Sequence, residues 1–184
     1  MLAEAFLDDP VWAALGPRRR SHRRRSNHVF FRGMLARTRR GSARVRVARD
    51  ERGRVLGAAV AFDPGRWPLS DVSIGWELGW VLAAGPLPTR RGLRFESEIR
   101  SHHVTHPHLY LWFIGVDPEM HGRGVGRALL ADLHGRSAEL AVPTYLETSS
   151  EPNVRFYQRQ GYELLGEIAL PDGPPMWLLE RPPD

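Results

Sequence analysis

Leu109-Tyr110-Leu111-Trp112-Phe113-Ile114-Gly115-Val116-Asp117-Pro118-Glu119-Met120-His121-Gly122-Arg123-Gly124-Val125-Gly126-Arg127-Ala128-Leu129-Leu130 is the stretch around which the chain is organised. Leu109 to Val116 is an almost unbroken apolar and aromatic run, the mark of a strand covered on both faces. Asp117 and Pro118 end it, because proline has no N–H to give to a ladder. Gly122 to Gly126 then lead into Arg127-Ala128-Leu129-Leu130, a composition that favours helix. A strand, a glycine-rich turn and a helix start set several free backbone N–H groups at the positive end of a helix. That arrangement holds a phosphate or pyrophosphate. The glycines let backbone approach the anion closely, and Arg123 and Arg127 add charge.

The spacing excludes two familiar phosphate loops. A P-loop ends in Gly-Lys-Ser/Thr, and the chain has no lysine. A dinucleotide fingerprint needs G-x-G-x-x-G, but Arg127 or Leu129 falls where its last glycine should be. Downstream, Thr144-Tyr145-Leu146-Glu147-Thr148-Ser149 reads as a second buried strand. Ser149 or Ser150 is placed to cap a short helix over Glu151–Gln160, with Pro152 near its first turn and Gly161 closing it.

His121-Gly122-Arg123-Gly124-Val125-Gly126 resembles the coenzyme A loop of the GNAT superfamily of N-acetyltransferases, Gln/Arg-x-x-Gly-x-Gly/Ala directly after a strand. Histidine stands where that pattern has Gln or Arg. Leu-Glu-Thr-Ser followed by Asn153-x-x-Phe156-Tyr157-x-x-x-Gly161-Tyr162 resembles the second signature of the same superfamily, in the same order. The resemblance is specific over Leu109 to Tyr162 and looser elsewhere.

The resemblance implies an α/β (α+β) fold, one domain over 1–184. Its central sheet would be mixed, mostly antiparallel, with six to seven strands flanked by helices. The implied reaction is transfer of an acetyl group from acetyl-CoA directly to a primary amine of a small molecule or peptide. It further implies that the backbone of Ile114, Gly115 and Val116 pairs with the pantetheine arm and can polarise the thioester carbonyl. The N–H groups of Gly122, Arg123, Gly124, Val125, Gly126 and Arg127 would hold the pyrophosphate, and Asn153 would bond the arm. Tyr157 matches the general-acid position, protonating the departing thiolate, with packing or a bond to sulfur as its other reading. An amine with a pKa near ~10 is mostly protonated at neutral pH, so a base is also required. Glu147, acting through water, is the candidate, with Glu96 and Glu98 as alternatives. A salt bridge or a polar strand end is an equally weighted reading of Glu147.

Composition bounds these expectations. With 184 residues, 42% hydrophobic and 26% charged, the chain suits one globular domain. It has no cysteine, which excludes disulfides, thiolate chemistry and a cysteine zinc site and suits a reducing cytoplasm. The start is acidic and amphipathic rather than a signal peptide, and no apolar run reaches the ~20 residues of a membrane helix. The net charge is +5, and every one of the 26 Lys/Arg positions is arginine. Arg18-Arg19-Arg20-Ser21-His22-Arg23-Arg24-Arg25 is read as a solvated face at the start of a helix running through Val29, Phe30, Phe31, Met34 and Leu35. No aromatic residue is interleaved in the block, which weakens a single-strand reading, and a nucleic-acid partner is not expected. An acetyl-CoA-binding sensor without catalysis and an arginine-rich nucleic-acid-associated protein are the other functional readings. Homodimers are common in the superfamily, and no stretch here specifies one.

Ala43–Arg49 and Val55–Phe62 read as a β-hairpin around Asp50–Arg54. Helix-like sequence begins almost at Met1, so the first strand usual in the superfamily is expected to be absent and the sheet one strand short. Between Asp63 and Pro107, Trp67, Trp76, Leu78, Trp80 and Val81 suggest one helix, and Leu93, Phe95 and Ile99 another. The tryptophans are read as core, with an aromatic floor for the acceptor as the alternative. His102, His103, His106 and His108 crowd the start of the central strand. They are read as exposed loop histidines with His108 satisfied at the strand's start, and a base role for His106 or His108 is a minority reading. No metal is expected, since no carboxylate follows at ligand spacing. Tyr162–Leu170 and Met176–Glu180 should complete the sheet.

Overall fold

Alternation along the strands decides the layers. In the structure, a computed structural model describing residues 1–38, 43–67, 74–170 and 173–183 (74–78 as backbone only), β1 (Arg44–Arg49) and β2 (Val55–Phe62) form the expected hairpin. β2 also pairs antiparallel with β3 (Leu109–Val116), and β3 lies parallel to β4 (Thr144–Thr148). β6 (Met176–Arg181) pairs antiparallel with both β4 and β5 (Glu163–Ile168), giving the order β1-β2-β3-β4-β6-β5. This is an α+β fold with six strands. Among the described residues no strand precedes the first helix, as expected.

Side chains at alternate positions separate into two cores, as a pleat requires. Ala59, Ala61, Leu109, Leu111 and Leu146 pack against α6 (Val125–Leu140) and α7 (Glu151–Gln158). Ala58, Val60, Phe62, Tyr110 and Tyr145 face the other way. That second face is covered by α1 (Leu2–Ala5), α2 (Pro10–Leu15), α3 (Arg20–Thr38) and α5 (Pro86–His102), with α4 (Ile74–Ala84) packed on α3. Helix α7 starts at Glu151 as expected but ends at Gln158 rather than Gln160. Ser150 occupies its N-cap position, but the side chain makes no capping bond.

The arginine block is not only a solvated face. Arg23 is buried and its guanidinium donates to the carbonyls of Leu7 (2.9 Å) and Pro17 (3.2 Å). Arg20 pairs with Asp8 and Arg24 with Glu4. Asn27, also buried, donates to the carbonyls of Ala3 and Phe6. These contacts tie the N-terminal helices to α3, because carbonyls left over at the ends of short helices need donors.

Trp67 lies after β2 rather than in a helix with Trp80, correcting that expectation. The helix holding Trp80 is α4. The side chains of Trp76 and Leu78 lie outside the described residues, as do Pro171 and Asp172 of the last connection.

Candidate active site

The parallel pair β3–β4 is joined at only two positions, Leu109 with Thr144 and Tyr110 with Tyr145. Beyond Tyr110 the strands diverge. On its other side, β3 stays paired to β2 as far as Val116, through Ala59–Ile114, Ala58–Gly115 and Gly57–Val116. The β4-facing edge of β3 therefore carries unpaired backbone from Leu111 onwards, which is where an extended ligand arm could add itself. A bulge sits at the apex. Val60 opposes Phe113 and Ala61 opposes Leu111, so Trp112 is the extra residue that turns β3 away.

At the mouth of the wedge, Pro118–Met120 forms a single 3-10 turn and the glycine loop follows. Gly122 (φ +74°) and Gly124 (φ +81°) take the left-handed conformation, and no atom lies within 4 Å of where their Cβ atoms would be. Open space therefore lies beside both glycines. Gly124 is the N-cap of α6, and the first N–H of this helix to find a backbone partner is that of Ala128, which donates to the Gly124 carbonyl. The N–H groups of Val125, Gly126 and Arg127 precede that bond and are the orphan donors of the helix. The Arg123 N–H donates to the Met120 carbonyl (3.3 Å), so it is partly committed within the turn. The side chains of Arg123 and Arg127 are exposed. His121 reaches back, with Nε2 3.3 Å from the Val116 carbonyl oxygen, and so fastens the loop to the end of β3.

Tyr157 and Glu147 approach the wedge from opposite faces of the sheet. Tyr157, on α7, is buried beside Tyr162 (ring centroids 5.5 Å) under the Leu111–Leu146 face. Burial raises its phenol well above the ordinary value, and the Asp9 carboxylate adds to the rise. It stays protonated at neutral pH. Asp9 comes from the N-terminal segment, where it caps α2 by accepting from the N–H groups of Val11 and Trp12. Glu147 faces the other way with Tyr110 and Tyr145, two residues beyond the last β3–β4 pair. Burial and the Glu147 charge hold both of those phenols well above their ordinary value. Asn153 is exposed on α7, and its amide donates to Thr148 Oγ1 (3.4 Å), which joins the α7 start to the β4 end.

The Glu147 side chain is 4% exposed and is bonded to a residue read from sequence as an exposed loop histidine. His103 Nδ1 lies 3.2 Å from Glu147 Oε1, and His103 Nε2 lies 3.0 Å from His108 Nε2. Trp67 stacks on the His103 ring at 4.2 Å. Glu96, the alternative base, instead pairs with Arg100 on the surface of α5. The His103 contact has no signal in local sequence. It depends on the end of α5 and the loop after β2 meeting over β4.

A family model described as an acetyltransferase (GNAT) domain matches residues 92–164. The span takes in most of α5, β3, the glycine loop, α6, β4 and α7. A structure from Corynebacterium glutamicum, described as histone acetyltransferase HPA2 and related acetyltransferase, superposes with a TM-score of 0.72 at 25% identity. It covers 100% of this chain and 87% of its own. Residues 92–164 thus match a GNAT acetyltransferase domain, and the chain has the GNAT fold. Its GNAT fold is shared with the phosphinothricin acetyltransferase of Sinorhizobium meliloti, solved in complex with AcCoA (TM-score 0.52, 21% identity, 82% of this chain and 66% of that one). The mycothiol acetyltransferase of Propionibacterium freudenreichii is 40% identical over 58 residues. That match spans 30% of this chain and only 19% of the relative's length. Residues 1–91, with the N-terminal helices and Trp67, lie outside the matched GNAT span. Among the described residues no group of three or more His, Cys, Asp or Glu is arranged to hold a metal, and no helix is long and apolar enough to cross a membrane.

Proposed function

We infer that this chain moves the acetyl group of acetyl-CoA to a primary amine of a small molecule or of a peptide. One observation carries the reading: the β3–β4 wedge opens onto the glycine loop, with a protonated phenol on one face and a buried carboxylate on the other. Orphan N–H groups of Val125, Gly126 and Arg127, with the cations of Arg123 and Arg127, would take the pyrophosphate. The free edge of β3 at Ile114, Gly115 and Val116 would carry the pantetheine arm and polarise the thioester carbonyl. Asn153, at the start of α7, would bond that arm. Attack needs a neutral amine, so Glu147 would take its proton, and Tyr157 would give one to the leaving sulfur.

Calorimetric titration of acetyl-CoA tests the cofactor half of this reading, beside a Gly124→Glu variant. The variant adds a side chain where φ is +81° and places an anion in the cradle. Micromolar binding by the parent and at least about 100-fold weaker binding by the variant are expected, a gap of roughly 2.7 kcal/mol. Equal binding by both would remove the cradle assignment.

A further inference from the structure

The network behind Glu147 does more than hold a carboxylate. His103, with a side chain 10% exposed, is fixed on every side. Trp67 stacks on one face, and the rings of Tyr110 and Tyr145 meet it edge-on at 4.7 and 4.9 Å. Its second nitrogen faces the Nε2 of His108 at 3.0 Å. The other nitrogen of His108, Nδ1, lies 2.7 Å from the His106 carbonyl oxygen, which can only accept. His108 therefore carries a proton on Nδ1.

That single constraint fixes the proton count. If Glu147 is ionised and both imidazoles are neutral, His103 donates from Nδ1 to the carboxylate. Two ring lone pairs then face each other across 3.0 Å, which is repulsive. One additional proton satisfies every contact, and it has three places to sit. On Glu147, the carboxyl donates to His103 Nδ1, and His103 Nε2 donates to His108. On His103, the imidazolium donates both ways. On His108, Nε2 donates to His103, which donates to Glu147. With that proton aboard, the set can shift it from the Glu147 end to the His108 end without breaking a contact, and its loss to water restores the state in which the lone pairs face each other. A groove of about 440 Å³, lined by Trp67, His103, His106, His108 and Tyr110, opens at the His108 end.

We propose that Glu147, His103 and His108 act as one proton-accepting unit, which takes the proton shed by the acceptor amine and delivers it to water in the groove beside Trp67. The proposal rests on the acetyl-transfer reading for its source of protons. In that reaction an ammonium nitrogen loses two protons as the C–N bond forms and the C–S bond breaks. One ends on the coenzyme A sulfur through Tyr157. The other has to leave a buried site, and the imidazoles lead it round the apex of the wedge to the opposite end of β3 and β4. Glu147 is the group that faces the reacting atoms; His103 and His108 are positioning and relay residues. The groups that face the unit and bias its titration are Tyr110 on β3, Tyr145 on β4, Glu180 on β6 paired with His106, Asp63 at the groove, and Glu96 and Arg100 of α5. Arg100 lies 5.6 Å over the Trp67 ring.

Two measurements on the full chain separate failure of the unit from failure of the transferase reading. The first is the imidazole 1H–15N long-range NMR spectrum of the parent and of Glu147→Gln, followed from pH 5 to 9. His108 should be the Nδ1–H tautomer, His103 and His108 should titrate together, and Glu147→Gln should move their shared midpoint to lower pH. Independent titration with unmoved midpoints in the variant would overturn the unit, whatever the enzyme transfers. The second is steady-state turnover with a monoamine, a diamine and a peptide with a free N-terminus as acceptors, for the parent and His108→Asn. Asparagine keeps a donor for the His106 carbonyl and removes the nitrogen facing His103. A roughly 10-fold loss of kcat with an altered pH profile, unchanged KM for acetyl-CoA and partial rescue by added imidazole would support the relay. An unchanged kcat and pH profile would overturn it. No turnover by the parent would count against the transferase reading, and the NMR result alone would then decide the unit.

Discussion

Tyr157 and Glu147 are both buried, yet burial asks opposite things of them. A buried phenol keeps its proton, so Tyr157 is in the protonated form across the whole neutral range. A buried carboxylate needs a partner, and Glu147 has one in His103. Tyr157→Phe removes only the donor. Its turnover should fall about 10- to 100-fold while the calorimetric Kd for acetyl-CoA stays within a factor of about two. A fall in affinity of the same size as the fall in turnover would mean that the hydroxyl binds rather than donates. The strand and the helix that carry them were legible from residue patterns, while the two residues themselves were singled out by the family resemblance. The tie between Glu147 and His103 was not legible, because 44 residues separate them along the chain.

At the scale of elements, α1 lies directly on the wedge. A Cβ on Gly115 would come within 2.8 Å of Leu2 Cδ2, 3.1 Å of Ala5 Cβ and 3.2 Å of Phe6 Cε2, so only glycine lets this helix reach β3. Gly115→Val should therefore destabilise the fold by about 1–3 kcal/mol, read by urea unfolding. A neutral result would mean that α1 moves aside freely. The C-terminal end of α6 carries the opposite opportunity. Ala141 holds a left-handed conformation (φ +52°, ψ +42°), which glycine adopts without strain. Ala141→Gly should raise stability by about 0.5–1 kcal/mol, seen as a higher Tm. The strands β2 and β3 run as the apolar pattern predicts, residue for residue. Trp67 departs from prediction because a lone tryptophan after a strand has no periodicity to place it, and stacking on His103 decides its position.

Over the whole molecule, charge is spent on joining parts. Asp63, after β2, pairs with Arg44 of β1 at 2.7 Å and with Arg136 of α6 at 3.5 Å. Chiefly the Arg44 guanidinium, and then Arg136, hold its carboxyl below the ordinary carboxylate value. A depressed folded value means that the stabilisation is present above the unfolded pKa of about 3.9 and is lost as pH falls through the folded value. Both partners are partly exposed, so Asp63→Asn should cost roughly 0.5–1 kcal/mol at pH 7. Its stability difference from the parent should shrink below about pH 4. A difference independent of pH would assign the loss to packing instead. The same use of charge explains the N-terminal arginines, three of which bind α1, α2 and their connections to α3.

Sequence by itself determined the strands and the glycine loop with its open helix start. Those are set locally, by residue period, by proline and glycine conformation and by which backbone groups a helix start leaves unpaired. Only the tertiary structure decided that Arg23 is buried as a clamp, that Asp9 stands near Tyr157, and that His103 links Glu147 to His108. Each of these is a contact between segments distant in sequence. Such contacts follow from how helices cover the sheet, which depends on the summed burial of many side chains rather than on any local pattern.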